Sequence, residues 1–288
     1  MSKISISLNK RSTKGIKKFF SYLFISIGAL IMIFPFIWMV ATSLKPDAEA
    51  FTRPPTLFTS TIEWENYTDL WNPEVRDLNI IRMGWNSFYL AFLVASGQVI
   101  TSSLAGYAFA KLRFPGRNKI FFLYFASIMI PATAVFVPNF IILRSLNLVG
   151  GHMGLILPCL TSAYATFLMR QFFLSFPKEL EDASKLDGCN PLKFYWYILI
   201  PNAKPIIATQ FLLTFQWHWN DFQWPLIMLR KEELQTLPVG LSYLSQQYYT
   251  DWGHLMAASV MTLIPIVILF LITQRFFIQS IKLTGVKG

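Results

Sequence analysis

Charged residues are scarce in this chain, at 14% of its 288 residues, where soluble domains carry about a quarter. That scarcity excludes an ordinary water-solvated globule and points to lipid as much of the solvent. Cysteine is nearly missing too. Cys159 lies in an apolar stretch and Cys189 in a loop expected to face the cytosol, so no disulfide framework is expected. Only three histidines occur, His152, His218 and His254, and they are scattered without metal-ligand spacing. No G-x-x-x-x-G-K-[ST] run exists to cradle nucleotide phosphates. A nucleophile elbow and paired catalytic carboxylates are also missing. These absences argue against an enzyme, and no cofactor or metal is expected on the chain itself. Alternating barrel strands of about ten residues are not seen.

What is present is apolar: 54% hydrophobic and 16% aromatic residues. A helix crossing the hydrocarbon core takes roughly 20 mainly apolar residues, and helices are expected because backbone groups in lipid must bond within their own segment. Six stretches fit, at about 19–44, 87–110, 120–143, 153–169, 205–229 and 254–273. All but the fifth lack Asp, Glu, Lys and Arg. The first is too long for a signal peptide and no small-residue cleavage site follows it. With alternate connecting segments assigned to one side, eighteen of the 25 basic residues fall on the side of both termini. The positive-inside bias makes that side cytoplasmic. The net charge of +10 is therefore topology, and no nucleic-acid partner is expected.

The expected organisation is an all-α membrane protein with six transmembrane helices. A basic cytosolic arm covers 1–18, the first helix 19–44, and an external loop 45–85, where Pro46, Pro54, Pro55 and Pro73 oppose long helices. A five-helix core spans 86–275, with a cytosolic loop at 174–204, and a cytosolic tail covers 276–288. Gly97, Thr101 and Ala105 repeat every four residues in the second span, which lets another helix approach closely. Pro35, Pro131, Pro138, Pro158 and Pro265 interrupt spans and can kink them.

The segment 175–205 reads SFPKELEDASKLDGCNPLKFYWYILIPNAKP. Ser175 is expected to cap a helix begun by Pro177, with Glu179, Glu181 and Asp182 at its positive dipole end. Asp187-Gly188 supplies a turn in which glycine can take positive φ. Asn190 then caps a second helix, with Pro191 at its first position, running until Pro201. Two short helices joined by a glycine elbow suit either docking to a partner or an amphipathic element lying on headgroups.

This segment resembles the EAA loop of ABC-importer permeases. Glu181, Ala183, Asp187, Gly188, Ile200 and Pro201 match its pattern, while Asp182 replaces the middle alanine and Cys189 the usual small residue. Asn86-Ser87, the run from Ala108 through Arg113-Phe114-Pro115-Gly116-Arg117, Met129-Ile130-Pro131, Trp219-Asn220-Asp221, Thr236-Leu237-Pro238-Val239-Gly240-Leu241 and the terminal Gly285-Val286-Lys287-Gly288 are similar to the carbohydrate branch, with the maltose-type G subunit as its pattern. The resemblance implies a type I ABC importer permease fold. It implies partners: a second permease, an ATPase pair that binds ATP and Mg, and an external solute-binding protein. By it Glu181, Ala183, Asp187, Gly188 and Pro201 contact the ATPase and pass its closure to the spans, in an inner membrane with both termini cytoplasmic. Amino-acid or peptide permeases of the same family are the nearest alternative. An ion-coupled secondary transporter is a further one, though it predicts acids in several spans and only Asp221 is found.

The fifth span carries FQWHWNDFQW at 215–224. On a continuous helix Trp217, Asn220, Asp221 and Trp224 share one face. Aromatic faces beside hydrogen-bonding groups suit sugars, so these four are candidates to line the pathway. An interfacial aromatic belt, or a purely structural role for Asp221, would produce the same pattern. The identity of the solute does not follow from the chain.

Overall fold

In a computed structural model the backbone is described for all residues except 1, 51, 53, 55, 73–77, 246–249 and 285–288, and side chains for 17–276 outside those gaps. Pro55, Pro73 and the terminal motif 285–288 lie outside the described residues. Among those described, the regular structure is helical apart from one isolated bridge between Ser245 and Thr250. The chain divides into two compact units, residues 1–69 with 244–260 and residues 70–243 with 261–288.

The first unit begins with α1 (Ser2–Ser43). The arm expected at 1–18 is therefore helical backbone continuous with the first span. Apolar side chains from Phe19 to Val40 are exposed around it, a surface that water would not tolerate but lipid would. Among the described residues of the proline-rich segment beyond are a 3-10 turn at Asp47–Glu49 and the seven-residue α2 (Glu65–Trp71). Asn66 of α2 donates to the carbonyls of Ser43 and Lys45 at 3.1 and 2.9 Å. It also packs so closely on Gly253 that a Cβ there would meet its side chain at 2.7 Å. His254 lies between Asp251 and Asp69, with nitrogen–oxygen distances of 2.8 and 3.4 Å.

In the second unit α3 (Ile80–Lys111) starts seven residues before the expected 87, because the Asn79 side chain accepts from the Arg82 amide at 2.9 Å and caps it there. The external loop accordingly ends sooner than 85. The third span is not one helix. α4 (Arg117–Ala126) runs through a 3-10 turn to Met129, and α5 (Ala132–Ser145) leaves it bent by 100°. Pro131 lacks an amide proton and forces the residue before it out of the helical region, so Ile130 is extended at ψ 117°. The fourth span comprises α6 (Met153–Cys159) and α7 (Ala163–Leu174), with Ser162 extended and capping α7 by accepting from the Ala165 amide.

Close approach through the second span is found at Gly97, where a Cβ would meet Leu160 at 2.4 Å, and at Thr101, whose hydroxyl donates to the Leu160 carbonyl. A close backbone crossing of this span lies one residue past Ala105. A Cβ on Gly106 would stand 2.7 Å from Met169 Cβ and 3.0 Å from the Arg170 amide. At the other end of α3, Asn86 donates to the carbonyls of Glu233 and Gln235 at 3.0 and 2.9 Å. Ser87 Oγ accepts from the Leu237 amide at 2.8 Å, capping the helix Leu237–Leu244. Two motifs about 150 residues apart thus form one joint. Among the described residues one core cluster is built around Leu90, Leu155 and Met228 and another around Tyr107, Phe173 and Tyr195.

Candidate functional site

The loop after the fourth span folds as α8 (Lys178–Leu186), an elbow, and α9 (Pro191–Asn202). Ser175 does not cap α8. It closes α7 instead, with its hydroxyl donating to the Phe172 carbonyl at 2.7 Å, and Pro177 takes the position before α8. The reason is local: α7 runs through Leu174, so the serine meets free C-terminal carbonyls before any new helix begins.

Gly188 sits at φ +73°. The Cys189 amide donates to the Ser184 carbonyl at 2.9 Å and the Gly188 amide to the Lys185 carbonyl at 3.0 Å. This is a complete Schellman closure, which requires left-handed backbone at Gly188. Asn190 accepts from the Lys193 amide at 2.8 Å and Pro191 takes the first position of α9, as its sequence implies. The helix does not stop at Pro201. A π-helical turn, Phe194–Leu199, absorbs the missing donor, the Asn202 side chain donates to the Ile198 carbonyl at 2.7 Å, and the chain bends by 76° into α10 (Lys204–Trp219). Ala183, Asp187, Gly188 and Pro201 are exposed and Glu181 is half-buried. Leu180, Leu186 and Leu192 stand exposed beside them, Leu186 at 90%.

One face of α3 holds this projection. Ser103 Oγ lies 2.7 Å from Tyr195 Oη, Tyr107 Oη donates to the Pro191 carbonyl at 2.9 Å, and Lys111 Nζ reaches Glu181 Oε2 at 3.1 Å. The three residues are spaced i, i+4, i+8, which aligns them on a helix. Sequence reasoning did not assign them this role, taking Lys111 as topological charge and as part of the Ala108–Arg117 run, although polar residues at that spacing on a span were the available signal. Burial by itself would raise Glu181. Hydrogen bonds from Lys185 and Lys111 outweigh it and hold the carboxyl below its ordinary 4.5.

The second feature is a cavity of about 1160 Å3 within the second unit, with Gln98, Gln210, Thr214, Trp217, Asn220 and Asp221 on its wall. Three helix breaks meet here: Ile128 and Ala132 flank the first, Cys159 to Ser162 form the second, and Asn220 to Phe222 form the third. Non-helical backbone at membrane depth is tolerated where it lines a cavity. Gln98 joins the walls, with Nε2 donating to the Cys159 carbonyl at 2.9 Å and Oε1 accepting from Thr214 at 2.8 Å.

The four-residue face expected in the fifth span is not formed. α10 ends at Trp219, Asn220 is its C-terminal cap, and Trp224 belongs to a separate helix, α11 (Gln223–Met228). Asn220 and Asp221 have short polar side chains that compete for backbone groups and favour helix ends. Asp221 Oδ1 accepts from the Trp224 amide at 3.3 Å. Trp217, Asn220 and Asp221 remain together on the cavity. Trp224 turns to a core cluster, its ring 4.9 Å from that of Phe136. Buried Trp219 donates to the Thr262 carbonyl at 3.1 Å.

The model of a family described as binding-protein-dependent transport system inner membrane component matches residues 98–283. The sn-glycerol-3-phosphate transport system permease protein UgpE of Yersinia pestis bv. Antiqua (strain Antiqua) is 35% identical over 268 residues, 91% of this chain and 95% of that protein. The arabinooligosaccharides transport system permease protein AraQ of Halalkalibacterium halodurans is 34% identical over 283 residues, 97% of this chain and 100% of that one. A chain from the crystal structure of a bacterial ABC transporter involved in import of the acidic polysaccharide alginate superposes with a TM-score of 0.78 at 25% identity, covering 92% of this chain and 98% of its own.

Proposed function

The chain belongs to the binding-protein-dependent transport system inner membrane component family, and from that premise we propose that it is one permease half of an ATP-driven importer for a sugar or sugar-like solute. It binds no nucleotide and catalyses no reaction of its own. A second permease completes the pathway, an ATPase pair supplies the energy with its own ATP and Mg, and an external binding protein delivers the solute. Both termini face the cytoplasm, following the distribution of basic residues.

The observation that carries this reading is the projection α8–Gly188–α9. It carries a Schellman closure at Gly188 and an Asn190 cap, exposes Ala183, Asp187 and Leu186 at its tip, and is braced at its root by Lys111, Tyr107 and Ser103. A mere connection would need neither the Schellman closure nor the brace. Closure of the ATPase pair pushes on the exposed tip, and the brace hands that displacement to α3, which also walls the cavity through Gln98. A ligand shifts the two access states only through differential affinity, so tip docking has to differ between them. Co-purification tests the proposal: the tagged chain should bring down stoichiometric ATPase and a second permease. A crosslink from a cysteine at position 186 should reach the ATPase. Isolation of the chain alone as a folded, transport-competent protein would refute it.

A further inference from the structure

The cavity carries a charge pattern that bears on cargo. Its polar wall is rich in side-chain amides, among them Gln98, Gln210, Gln216 and Asn220, with hydroxyls of Thr161, Ser162 and Thr214, beside the exposed indole of Trp217. No lysine or arginine among the described residues lines it. The group on its wall that ordinarily carries charge at neutral pH is Asp221, and the sign is negative.

An anion drawn from water into such a wall loses hydration and meets a carboxylate in place of a cation. A polyhydroxylated neutral solute exchanges hydrogen bonds with amides, which both donate and accept, and lays its C–H faces on the indole. Resting on the importer reading above, we infer that this half of the pathway selects uncharged polyhydroxylated solutes and disfavours anionic ones, with Asp221 the principal discriminator. The cargo chemistry is then that of a neutral oligosaccharide. It is not that of the glycerol phosphate or acidic polysaccharide for which two of the similar proteins are named.

The test uses the complete transporter in proteoliposomes with its cognate binding protein. ATP-dependent uptake is compared for a neutral trisaccharide and a uronate trisaccharide of equal length. Neutral uptake should be at least tenfold faster. Asp221→Asn should raise the uronate-to-neutral ratio at least threefold, and because one binding protein serves both preparations, its own selection cancels. Should that variant fail to assemble for loss of the α11 cap, Gln216→Lys, at an exposed position on the same wall, should move the ratio in the same direction. Uronate entering as fast as the neutral sugar, or a ratio unmoved in an assembled variant, overturns the inference while leaving an importer in place. No ATP-dependent uptake of either sugar, with no ATPase co-purifying, overturns the importer reading and the inference with it.

Discussion

Replacing Lys111 by methionine should loosen α8 from the second span and waste ATP. Lys111 Nζ stands 3.1 Å from Glu181 Oε2, with the two side chains only 10% and 18% exposed. A charge-assisted hydrogen bond contributes about 1.5–3 kcal/mol when buried, and an exposed ion pair about 0–1. This pair is nearly buried, and Lys185 still serves Glu181 from the other side at 2.8 Å, so a loss of about 1–2 kcal/mol is expected. Methionine keeps most of the aliphatic stem, which limits the change to the charge. Local opening of α8 should then be roughly 5–30 times more frequent, read by hydrogen exchange at the amides of Asp182 to Leu186. More ATP should be hydrolysed per solute carried. Lys185→Met is the control: Lys185 is 60% exposed, so solvent screens its i,i+4 pair and its loss should matter less than that of Lys111. Unchanged exchange and coupling in Lys111→Met, or a larger effect in Lys185→Met, would refute the brace.

Gly188→Ala must hold a Cβ at φ +73° and should cost about 1–2 kcal/mol at the elbow. Gly188→Pro also removes the amide that bonds Lys185 and should abolish coupled transport, measured as uptake against ATP hydrolysis. Gly106→Leu would drive a side chain into Met169 and the Arg170 backbone and should prevent assembly, seen by size exclusion in detergent. Because the folded value of Glu181 is depressed, its contribution to the brace is complete above about 4.5 and fades as pH falls through the lower folded value. Protection of α8 amides, corrected for intrinsic exchange, should therefore be level from about pH 8 to 5 and fall only in more acid solution.

The capped elbow was legible because its signals are local. Asn190, Pro191 and Gly188 each dictate backbone within a turn of themselves, and each does so here. Ser175 failed for a related reason: a serine can close the helix before it as readily as open the one after, and only the true end of α7 at Leu174 decides. The fifth span was misread because helical spacing was extended across Asn220 and Asp221, whose side chains end the helix and start the next. Pairings over long separation left no such mark. Nothing near Lys111 announces Glu181, and nothing near Asn86 announces the carbonyls of Glu233 and Gln235.

Several prolines interrupt apolar runs, and their fates differ. Pro35, Pro138, Pro158 and Pro265 stay inside helices, while Pro131 ends one with a bend of 100°. At Pro131 the break falls where an unpaired backbone group can be tolerated. The Pro131 break opens onto the cavity, as do the breaks after Cys159 and after Trp219, and backbone freed there can meet water or solute instead of hydrocarbon. Three unwound stretches converging on one space are hard to explain as packing accidents, since each forgoes helical hydrogen bonds. They are intelligible as hinges that let wall segments move independently while the continuous α3, anchored at both ends by Asn86 and Lys111, keeps its place. On this view, restoring helix at a break is more damaging than deepening it. Asp221→Ala with Asn220→Ala, which favours fusing α10 to α11, should slow transport more than Pro158→Ala, which lies within a helix already formed. The comparison is made by uptake rates in proteoliposomes at matched assembly, and the reverse order would refute the hinge assignment.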